Sequence, residues 1–408
     1  MPALVPQAIP ISWMAAIALD NMRRIAVITT SRADYSHLYW VLKGLQTHPE
    51  VDLRLLVSGS HLAPSFGQSV DQIVDDGFSI EARIEALIDS DTDIGMAKTI
   101  GMASLGLADV LGDLRPDVLL IIADRYEMLA PAAVATALRI PIAHIEGGEI
   151  SEGAIDDAIR NALTKLAHLH FVSTELAKRR VVAMGEESWR VVRAGAPSLD
   201  HLIQSELLNQ KELEKALDLD LSVAPKIVAF HPVTLSDDSD QEVAALFQAL
   251  ETVEGPIIFS FPNADAGHQI IIDKAKKFCA NRSNATVFTN LGPIHYWSLL
   301  QHAELMIGNS SSGIMETPSL ALPCINVGLR QKGRERAKNI IDVPAQASKI
   351  VAGIETAQSK AFKESLVGME NPYGDGQAAR RIIETLTTCP LGSALLVKKA
   401  RPPAEVSP

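Results

Sequence analysis

Apolar and polar positions along the chain predict short buried strands separated by amphipathic helices. In the first half, amphipathic stretches of helix length cover residues 35–47, 93–114 and 126–138. The predicted strands between them are 23–29, 51–58, 116–123, 140–145 and 169–173. Val, Ile and Leu dominate these runs, which is typical of parallel strands covered by helices on both faces. The first half is therefore predicted to be a doubly wound α/β domain.

A charged stretch around residues 200–225 interrupts the alternation of strands and helices, which then starts again. The predicted strands of the second half are 226–231, 256–261, 285–290, 303–309 and 322–327. We therefore predict two Rossmann-like domains, residues 22–205 and 206–388, with a cleft between them. The last helix, 376–386, is long enough to pack on either domain. Residues 1–21 are predicted to be a disordered extension and residues 389–408 a tail.

Composition and charge narrow the function classes. The chain has 408 residues, of which 47% are hydrophobic and 21% are charged, as in a globular protein. Its formal net charge of −12 disfavours nucleic acid and anionic membranes as partners, so a phosphate group must be bound by a few placed arginines. The three cysteines are far apart and form no metal-binding cluster, and the first residues lack the basic start of a secretory signal. We expect a cytoplasmic protein without a metal.

Candidate chemistry follows the predicted strands directly, where open α/β sheets bind their ligands. SRADYS follows the first strand, and the absence of GxGxxG there disfavours dinucleotide binding. Arg32 and Ser36 lie in that turn and are predicted to approach the cleft. DRYE follows a later strand, and its Asp124 and Arg125 either face the cleft or pair with each other.

The strand at 140–145 leads into HIEGGE, an acidic turn with two glycines. Gly147 and Gly148 allow a sharp turn, so Glu146 can point into the cleft. The next predicted helix carries Asp156 and Asp157 in its first turn, where at least one of them is expected to stabilise the helix dipole.

The second half of the chain supplies candidate hydrogen-bond donors and an arginine for binding phosphate groups. Ser310 and Ser311 begin a helix whose free N–H groups suit a diphosphate. Glu316 lies about one turn later, where a carboxylate can accept both hydroxyls of a ribose. Arg330 follows the next strand, and its guanidinium suits a pair of oxyanion atoms. The remaining strand-end candidates are His231, which either faces the cleft or is structural, and Asn263.

Eight of these segments, taken in order, resemble the hydrolysing UDP-N-acetylglucosamine 2-epimerases of bacterial sialic-acid precursor synthesis. They are SRADYS, DRYE, HIEGGE, IDDAIRNALTKLAH, HPVT, FPNADAG, GNSSSGIMETPSL and GLRQKGR, and the resemblance covers about residues 23–385. It implies the GT-B fold, with the nucleotide held mainly by the second domain. Ala123 departs from the glycine usual in the family. The loop around Glu152 is one residue longer, which leaves the register between Glu149 and Asp156 open.

The resemblance also implies roles for the candidate residues. Asp124, Glu146 and Asp156 match the catalytic carboxylates, and Arg125 and His231 are grouped with them as catalytic candidates. The residues expected to bind the nucleotide sugar are Arg32, Ser36, Asn263, Ser310, Ser311, Glu316 and Arg330.

The implied reaction converts UDP-N-acetylglucosamine and water to N-acetylmannosamine and UDP, through elimination to a glycal and then hydration, without a cofactor. Asp124 and Asp156 are expected to serve the elimination and Glu146 the hydration. A homodimer or homotetramer is also expected. The alternatives are a GDP-N-acetylglucosamine 2-epimerase of legionaminic-acid type, a GT-B glycosyltransferase, and a nucleotide-sugar sensor without turnover.

Overall fold

A computed structural model describes residues 22–90, 92–152, 155–232, 239–260, 268–289 and 291–399. The strands are β1 Arg23–Thr29, β2 Val51–Ser58, β3 Ile80–Ile84, β4 Val118–Ile122, β5 Ile142–Ile145, β6 Leu169–Val172, β7 Val191–Arg193, β8 Lys226–Ala229, β9 Ile257–Ser260, β10 Ala285–Phe288, β11 Leu305–Gly308, β12 Cys324–Val327 and β13 Ile340–Val343. The helices are α1 Arg32–Thr47, α2 Val70–Asp75, α3 Asp93–Leu114, α4 Leu129–Leu138, α5 Asp156–Leu166, α6 Glu175–Ala183, α7 Asp200–Gln204, α8 Gln210–Leu217, α9 Ser239–Glu251, α10 His268–Ala280, α11 Gly292–His302, α12 Ser311–Met315, α13 Ala347–Gln358, α14 Lys360–Ser365, α15 Ala378–Thr388 and α16 Ser393–Leu396.

The strands form two parallel sheets, as predicted. The first has the order β3-β2-β1-β4-β5-β6-β7 and the second the order β10-β9-β8-β11-β12-β13. Central strands such as β4 and β5 are buried along their whole length, which explains the unbroken apolar sequence of β4, VLLII; β5, IAHI, is apolar apart from the buried His144. Two Rossmann-like domains that face each other across a cleft constitute the GT-B fold, and this prediction is confirmed.

Three short strands, β3, β7 and β13, were not predicted, and each lies at the edge of its sheet. Their sequences, IEARI, VVR and IIDV, contain charged residues and are only partly buried. Edge strands need only one apolar face and are often kept short and charged, so they lack the apolar run that reveals a central strand.

The chain crosses between the domains twice, and the two crossings run side by side. The backbone N–H of Ala196 donates to the carbonyl of Tyr373 at 2.8 Å, which joins the first crossing to the second. After the second crossing, α15 returns to the first domain, where Ile382 and Leu386 are part of its core. The Asp200 carboxylate accepts from the first N–H groups of α15 at 2.9 and 2.8 Å and so stabilises the start of this helix.

Helix α3 differs from the other described helices in its length and exposure. Thr92 caps its start by accepting from the N–H of Gly95 at 3.0 Å. Among the described helices, it alone is long and apolar enough to cross a membrane by length and composition, and 28% of its most apolar window is buried.

Candidate active site

A cavity of about 230 Å³ opens between the carboxyl ends of the two sheets. Helix α1 contributes Arg32, Ser36 and His37 to its wall. The second domain contributes five of the predicted residues, which are His231, Ser310, Ser311, Glu316 and Arg330. Most of the predicted binding residues thus share one cavity. Asn263 lies outside the described residues.

Asn309 holds three strand ends of the second domain together. Its side chain accepts from the N–H of His231 at 2.7 Å and donates to the carbonyl of His231 at 2.9 Å. Its own carbonyl accepts from Gln331 at 2.8 Å and from Arg330 at 3.2 Å. His231 follows β8, whereas Arg330 and Gln331 follow β12, so the side chain and the backbone carbonyl of Asn309 together fix His231 and Arg330 relative to the end of β11.

Gly308 allows β11 to end close to its neighbour. Its φ of 142° lies in a region that side chains rarely adopt, and a Cβ built there would lie 1.9 Å from the carbonyl oxygen of Ala229. Only glycine fits this close approach. The serines that follow β11 therefore reach the cavity directly from the strand.

A relay of hydroxyl groups orients Glu316. Ser312 donates to the Oε2 of Glu316 at 2.5 Å, and the Tyr296 hydroxyl donates to the Ser312 oxygen at 2.6 Å. Burial and the nearby carboxylate of Glu316 raise the pKa of Tyr296, so it remains a donor. Ser310 caps α12 by accepting from the N–H of Ser312. One oxygen of Glu316 is thus occupied, and the other faces the first domain.

His37 spans the cleft between two carboxylates. Its Nδ1 lies 3.0 Å from the Oε1 of Glu146, and its Nε2 lies 3.8 Å from the Oε1 of Glu316. Burial opposes the charged form, but the two carboxylates outweigh it and raise the pKa of His37 to about 9. At neutral pH an imidazolium ion therefore links the domains. The sequence does not predict His37, although it lies one residue after Ser36 on the helix already assigned to the cleft.

Glu146 adopts a conformation that favours glycine. Its φ is 66°, in the left-handed region, and its side chain is buried. Strained positions of this kind occur mostly where a side chain must be aimed. Burial alone would raise the pKa of Glu146, but His37 and Arg334 lower it below its ordinary value. Glu146 is therefore an ionised carboxylate.

Asp124 and Arg125 of DRYE pair with other residues rather than with each other. Arg125 donates to Glu127 at 2.8 Å, and Asp124 forms an ion pair with the buried Arg160 of α5. Ala123 precedes them with φ 61°, in the left-handed region that favours glycine. Helix α5 thus supplies the countercharge that holds Asp124.

Asp157 stabilises the acidic loop. Its Oδ1 accepts from the N–H of Ser151 at 2.9 Å and lies 3.9 Å from Arg160. Asp156, its neighbour in the first turn of α5, is half-buried. Residues 153 and 154 of the lengthened loop lie outside the described ranges.

Glu149 is a buried acid that was not assigned a role. Burial, with Arg334 opposing it and Glu146 adding to it, raises the pKa of Glu149 to about 7. Its Oε1 has no hydrogen-bond partner among the described residues. Such a carboxyl group is about half protonated at neutral pH, unlike Glu146. The only signal in the sequence is that Glu149 is the second glutamate of HIEGGE.

Further contacts join the two domains around the cavity. Arg32 donates to the carbonyl of Thr289 at 2.8 Å, Arg334 to the carbonyl of Ile150 at 3.0 Å, and Lys332 lies 3.0 Å from Glu152. Within the described ranges, no three His, Cys, Asp or Glu side chains are grouped so that they could hold a metal ion.

The sequence model of the UDP-N-acetylglucosamine 2-epimerase family matches residues 43–387. The chain belongs to this family. It is therefore a nucleotide-sugar 2-epimerase, and the resemblance seen in its motifs is confirmed.

Relatives in the epimerase family match nearly the whole chain. A GDP/UDP-N,N'-diacetylbacillosamine 2-epimerase (hydrolyzing) of Campylobacter jejuni is 38% identical over 90% of this chain and 95% of its own. The corresponding UDP-N,N'-diacetylbacillosamine enzyme of Legionella pneumophila is 35% identical over 92% and 99%. A UDP-N-acetylglucosamine 2-epimerase of Neisseria meningitidis serogroup B is 33% identical over 83% and 88%.

Solved epimerase structures share the fold. The UDP-GlcNAc 2-epimerase of Neisseria meningitidis bound to UDP-GlcNAc superposes with a TM-score of 0.75 at 18% identity, covering 89% of this chain and 99% of that one. The Methanocaldococcus jannaschii enzyme, in complex with UDP-GlcNAc and UDP, gives a TM-score of 0.73 at 20% identity over 89% and 99%.

Proposed function

We propose that this enzyme is a hydrolysing 2-epimerase, which releases a free 2-acetamido sugar with inverted C2 from a nucleoside diphosphate. The observation that supports this proposal most directly is that His37, which lies 3.0 Å from the carboxylate of Glu146, lines the same cavity as Ser310 and Arg330. The Campylobacter and Legionella relatives, both named as hydrolysing enzymes, support this reaction. We take UDP-N-acetylglucosamine as the first substrate candidate, with N-acetylmannosamine for sialic-acid-type sugars as the product.

The second domain is suited to the leaving group. Cleavage of the C1–O bond leaves a nucleoside diphosphate with increased negative charge, and preformed positive donors stabilise such charge most effectively. Arg330 and the serines after β11 line the cavity on that side, and Arg32 reaches it from the first domain. We propose that these groups bind the diphosphate and that Glu316 binds the ribose.

The first domain is suited to proton transfer. The C2–H bond of the sugar is only weakly acidic, but oxocarbenium character at C1 acidifies it, so elimination needs no unusually strong base. We propose that Asp124 and Asp156 serve the elimination and that Glu146 directs the hydration of the glycal. Arg125 and His231 are proposed to assist beside the reacting sugar, and Asn263 stays a predicted binding residue.

The surroundings of Glu146 and Glu149 support different proton-transfer roles for these two carboxyl groups, one as a base and the other as an acid. Glu146 has a lowered pKa because His37 and Arg334 stabilise its charge, whereas burial raises the pKa of Glu149 to about 7. Groups whose pKa values are moved apart can act as base and acid at the same pH. His37 is proposed to position Glu146 through the 3.0 Å contact.

A second substrate candidate is UDP-N,N'-diacetylbacillosamine. Two relatives named for this sugar share 38% and 35% identity with the chain, against 33% for the Neisseria meningitidis serogroup B relative, which is named for UDP-N-acetylglucosamine. The name of the Campylobacter relative also includes GDP, so the base remains part of the test. The candidate nucleotide sugars differ from one another at the base or at C4 and C6 of the sugar, away from the reacting C1 and C2.

NMR of reactions in D₂O tests the proposal. The enzyme is incubated separately with UDP-N-acetylglucosamine, UDP-N,N'-diacetylbacillosamine and the GDP-linked sugars, and kcat/KM is compared. We expect a free C2-inverted sugar with deuterium at C2, together with the nucleoside diphosphate. A product still attached to the nucleotide contradicts the hydrolysing reaction, and turnover only with an added sugar acceptor indicates a glycosyltransferase.

A further inference from the structure

Two loops, one from each domain, meet beside the cavity. The acidic loop, residues 146–152, follows β5 in the first domain, and the arginine loop, residues 328–336, follows β12 in the second. Glu146 belongs to the acidic loop, and Arg330, which lines the cavity, belongs to the arginine loop. A contact between these loops therefore connects the groups proposed for the leaving diphosphate with those proposed for proton transfer.

Arg334 makes the central contact between the two loops. Its Nε donates to the carbonyl of Ile150 at 3.0 Å, and one of its terminal nitrogens lies 3.4 Å from the Oγ of Ser151. Burial acts to raise the pKa of Glu146 and of Glu149, and the positive charge of Arg334 opposes this effect at both. One side chain of the second domain thus holds the backbone of the acidic loop and stabilises the charge of its two buried glutamates.

Arg180 of α6 binds both loops at once. Its guanidinium donates to the carbonyl of Gly148 at 3.2 Å and to the carbonyl of Gly333 at 3.1 Å. A Cβ built on Gly333 would lie only 2.5 Å from the Cγ2 of Ile150, which shows how closely the loops approach at this point. We refer to these hydrogen bonds of Arg334 and Arg180 as the loop contact.

The loop contact continues to Asp124 through a serine. The Oγ of Ser151 lies 3.4 Å from both terminal nitrogens of Arg160, and Arg160 forms the ion pair that holds Asp124. Ser151 therefore lies between Arg334 of the second domain and Arg160 of the first. Any displacement of Arg334 changes the surroundings of Asp124 as well as those of the two buried glutamates.

We propose that Arg334 is a positioning residue, which holds the acidic loop in its reactive place for as long as the nucleoside diphosphate holds the arginine loop. This inference rests on the proposed function, because it assigns Arg330 to the diphosphate and the acids to the sugar. Its basis is that Arg330 and Arg334 lie on one short loop, four residues apart, and face the two halves of the site.

The proposal has its clearest consequence between the two chemical steps. Elimination breaks the C1–O and C2–H bonds and leaves a C1=C2 double bond, while the diphosphate departs with the electron pair of the C1–O bond. Hydration then adds the hydroxyl of water to C1 and a proton to C2. Between these steps the glycal is held without a covalent bond, so it either reacts with water or escapes. A loop contact that persists while the diphosphate stays bound favours hydration over escape.

Arg334→Met tests this consequence in the NMR assay. The variant should release free glycal, recognised by its vinyl proton at C1, in a share of turnovers about 10–100-fold larger than the wild type, the ratio expected for loss of a charged hydrogen bond. This share does not depend on how much of the enzyme is folded, so a merely structural defect does not change it. Arg334→Lys keeps the charge without the planar fork and should give an intermediate share.

Lys332→Met is the matched control. Lys332 carries the same charge on the same loop and lies 3.0 Å from Glu152, but the two side chains are 63% and 48% exposed, so their contact contributes little. Its glycal share should stay within about twofold of the wild type. Arg180→Met removes the other part of the loop contact and should raise the share as Arg334→Met does. A wild-type share in Arg334→Met, or an equal rise in Lys332→Met, overturns the proposal.

Amide hydrogen exchange measures the loop contact without turnover. Saturating UDP, and GDP in a parallel sample, should slow exchange in peptides that cover residues 146–152 of the wild type and of Lys332→Met, and about tenfold less in Arg334→Met. Equal protection in Arg334→Met and the wild type overturns the proposal. If the wild type shows the protection but forms no free sugar from any candidate nucleotide sugar, the proposed function fails while the role of Arg334 in holding the loop stands.

Discussion

Replacement of His37 by glutamine removes the positive charge between Glu146 and Glu316. The pKa of His37 is raised from 6.5 to about 9, which corresponds to about 3.5 kcal/mol at about 1.4 kcal/mol per pH unit. Because the folded pKa lies above the unfolded value, this stabilisation is fully present below about pH 6.5 and is lost as the pH rises through about 9. The side chain is only 20% exposed, so solvent screening reduces the figure little.

Urea unfolding of the wild type and His37→Gln across the pH range measures this contribution. The free-energy difference between them should decrease by about 1.5–2 kcal/mol from pH 6 to pH 8 and by about 3 kcal/mol from pH 6 to pH 10. His48→Gln, at the end of α1 and outside the cavity wall, should show no comparable decrease. In the wild type, the NMR titration midpoint of His37 should lie near 9. A difference that is constant with pH, or a midpoint near 6.5, would refute the reasoning.

Three further substitutions test the site and the fold. Asp124→Asn should lower kcat about 10²–10⁴-fold if Asp124 takes part in proton transfer, and a rate within about tenfold of wild type would remove it from the mechanism. Glu149→Gln should have nearly wild-type stability below about pH 4.5 and be more stable by up to about 3.5 kcal/mol above about pH 7, because the pKa raised from 4.5 to about 7 makes ionisation of Glu149 costly in the folded state. Urea unfolding that shows no gain in stability at high pH contradicts the burial argument. Gly308→Ala should lower the thermal midpoint strongly, since its Cβ would meet the carbonyl of Ala229 at 1.9 Å, whereas Gly112→Ala in α3 has open space around it and should be neutral or stabilising by about 0.5–1 kcal/mol. Equal melting temperatures for these two variants would contradict the close approach.

The central strands of both sheets could be predicted because a strand that is buried on both faces consists mainly of apolar residues. β4 is a continuous apolar run and β5 is apolar apart from His144. The polar groups that follow the strands lie at the cleft because open α/β sheets present the carboxyl ends of their strands there. Strand-end position was therefore enough to select Ser310, Glu316 and Arg330, which do line one cavity.

The pairings within the site could not be predicted in the same way. His37 meets Glu146, which is 109 residues away, and Asp124 meets Arg160 rather than the adjacent Arg125. Such contacts depend on the relative placement of separate elements, and no local pattern records it. The raised pKa of Glu149 likewise depends on burial by the surrounding fold and not on the acid itself.

The paired connections at Ala196 and Tyr373 restrict how the enzyme can open. A single connection would leave the domains free to rotate or slide relative to each other, whereas two connections that are hydrogen-bonded to each other favour rotation about one hinge. We expect such a rotation to lengthen the contacts of Arg32 with Thr289 and of His37 with Glu316, both of which cross between the domains. A hinge of this kind would let substrate enter and product leave while the two domains close again in one relative orientation.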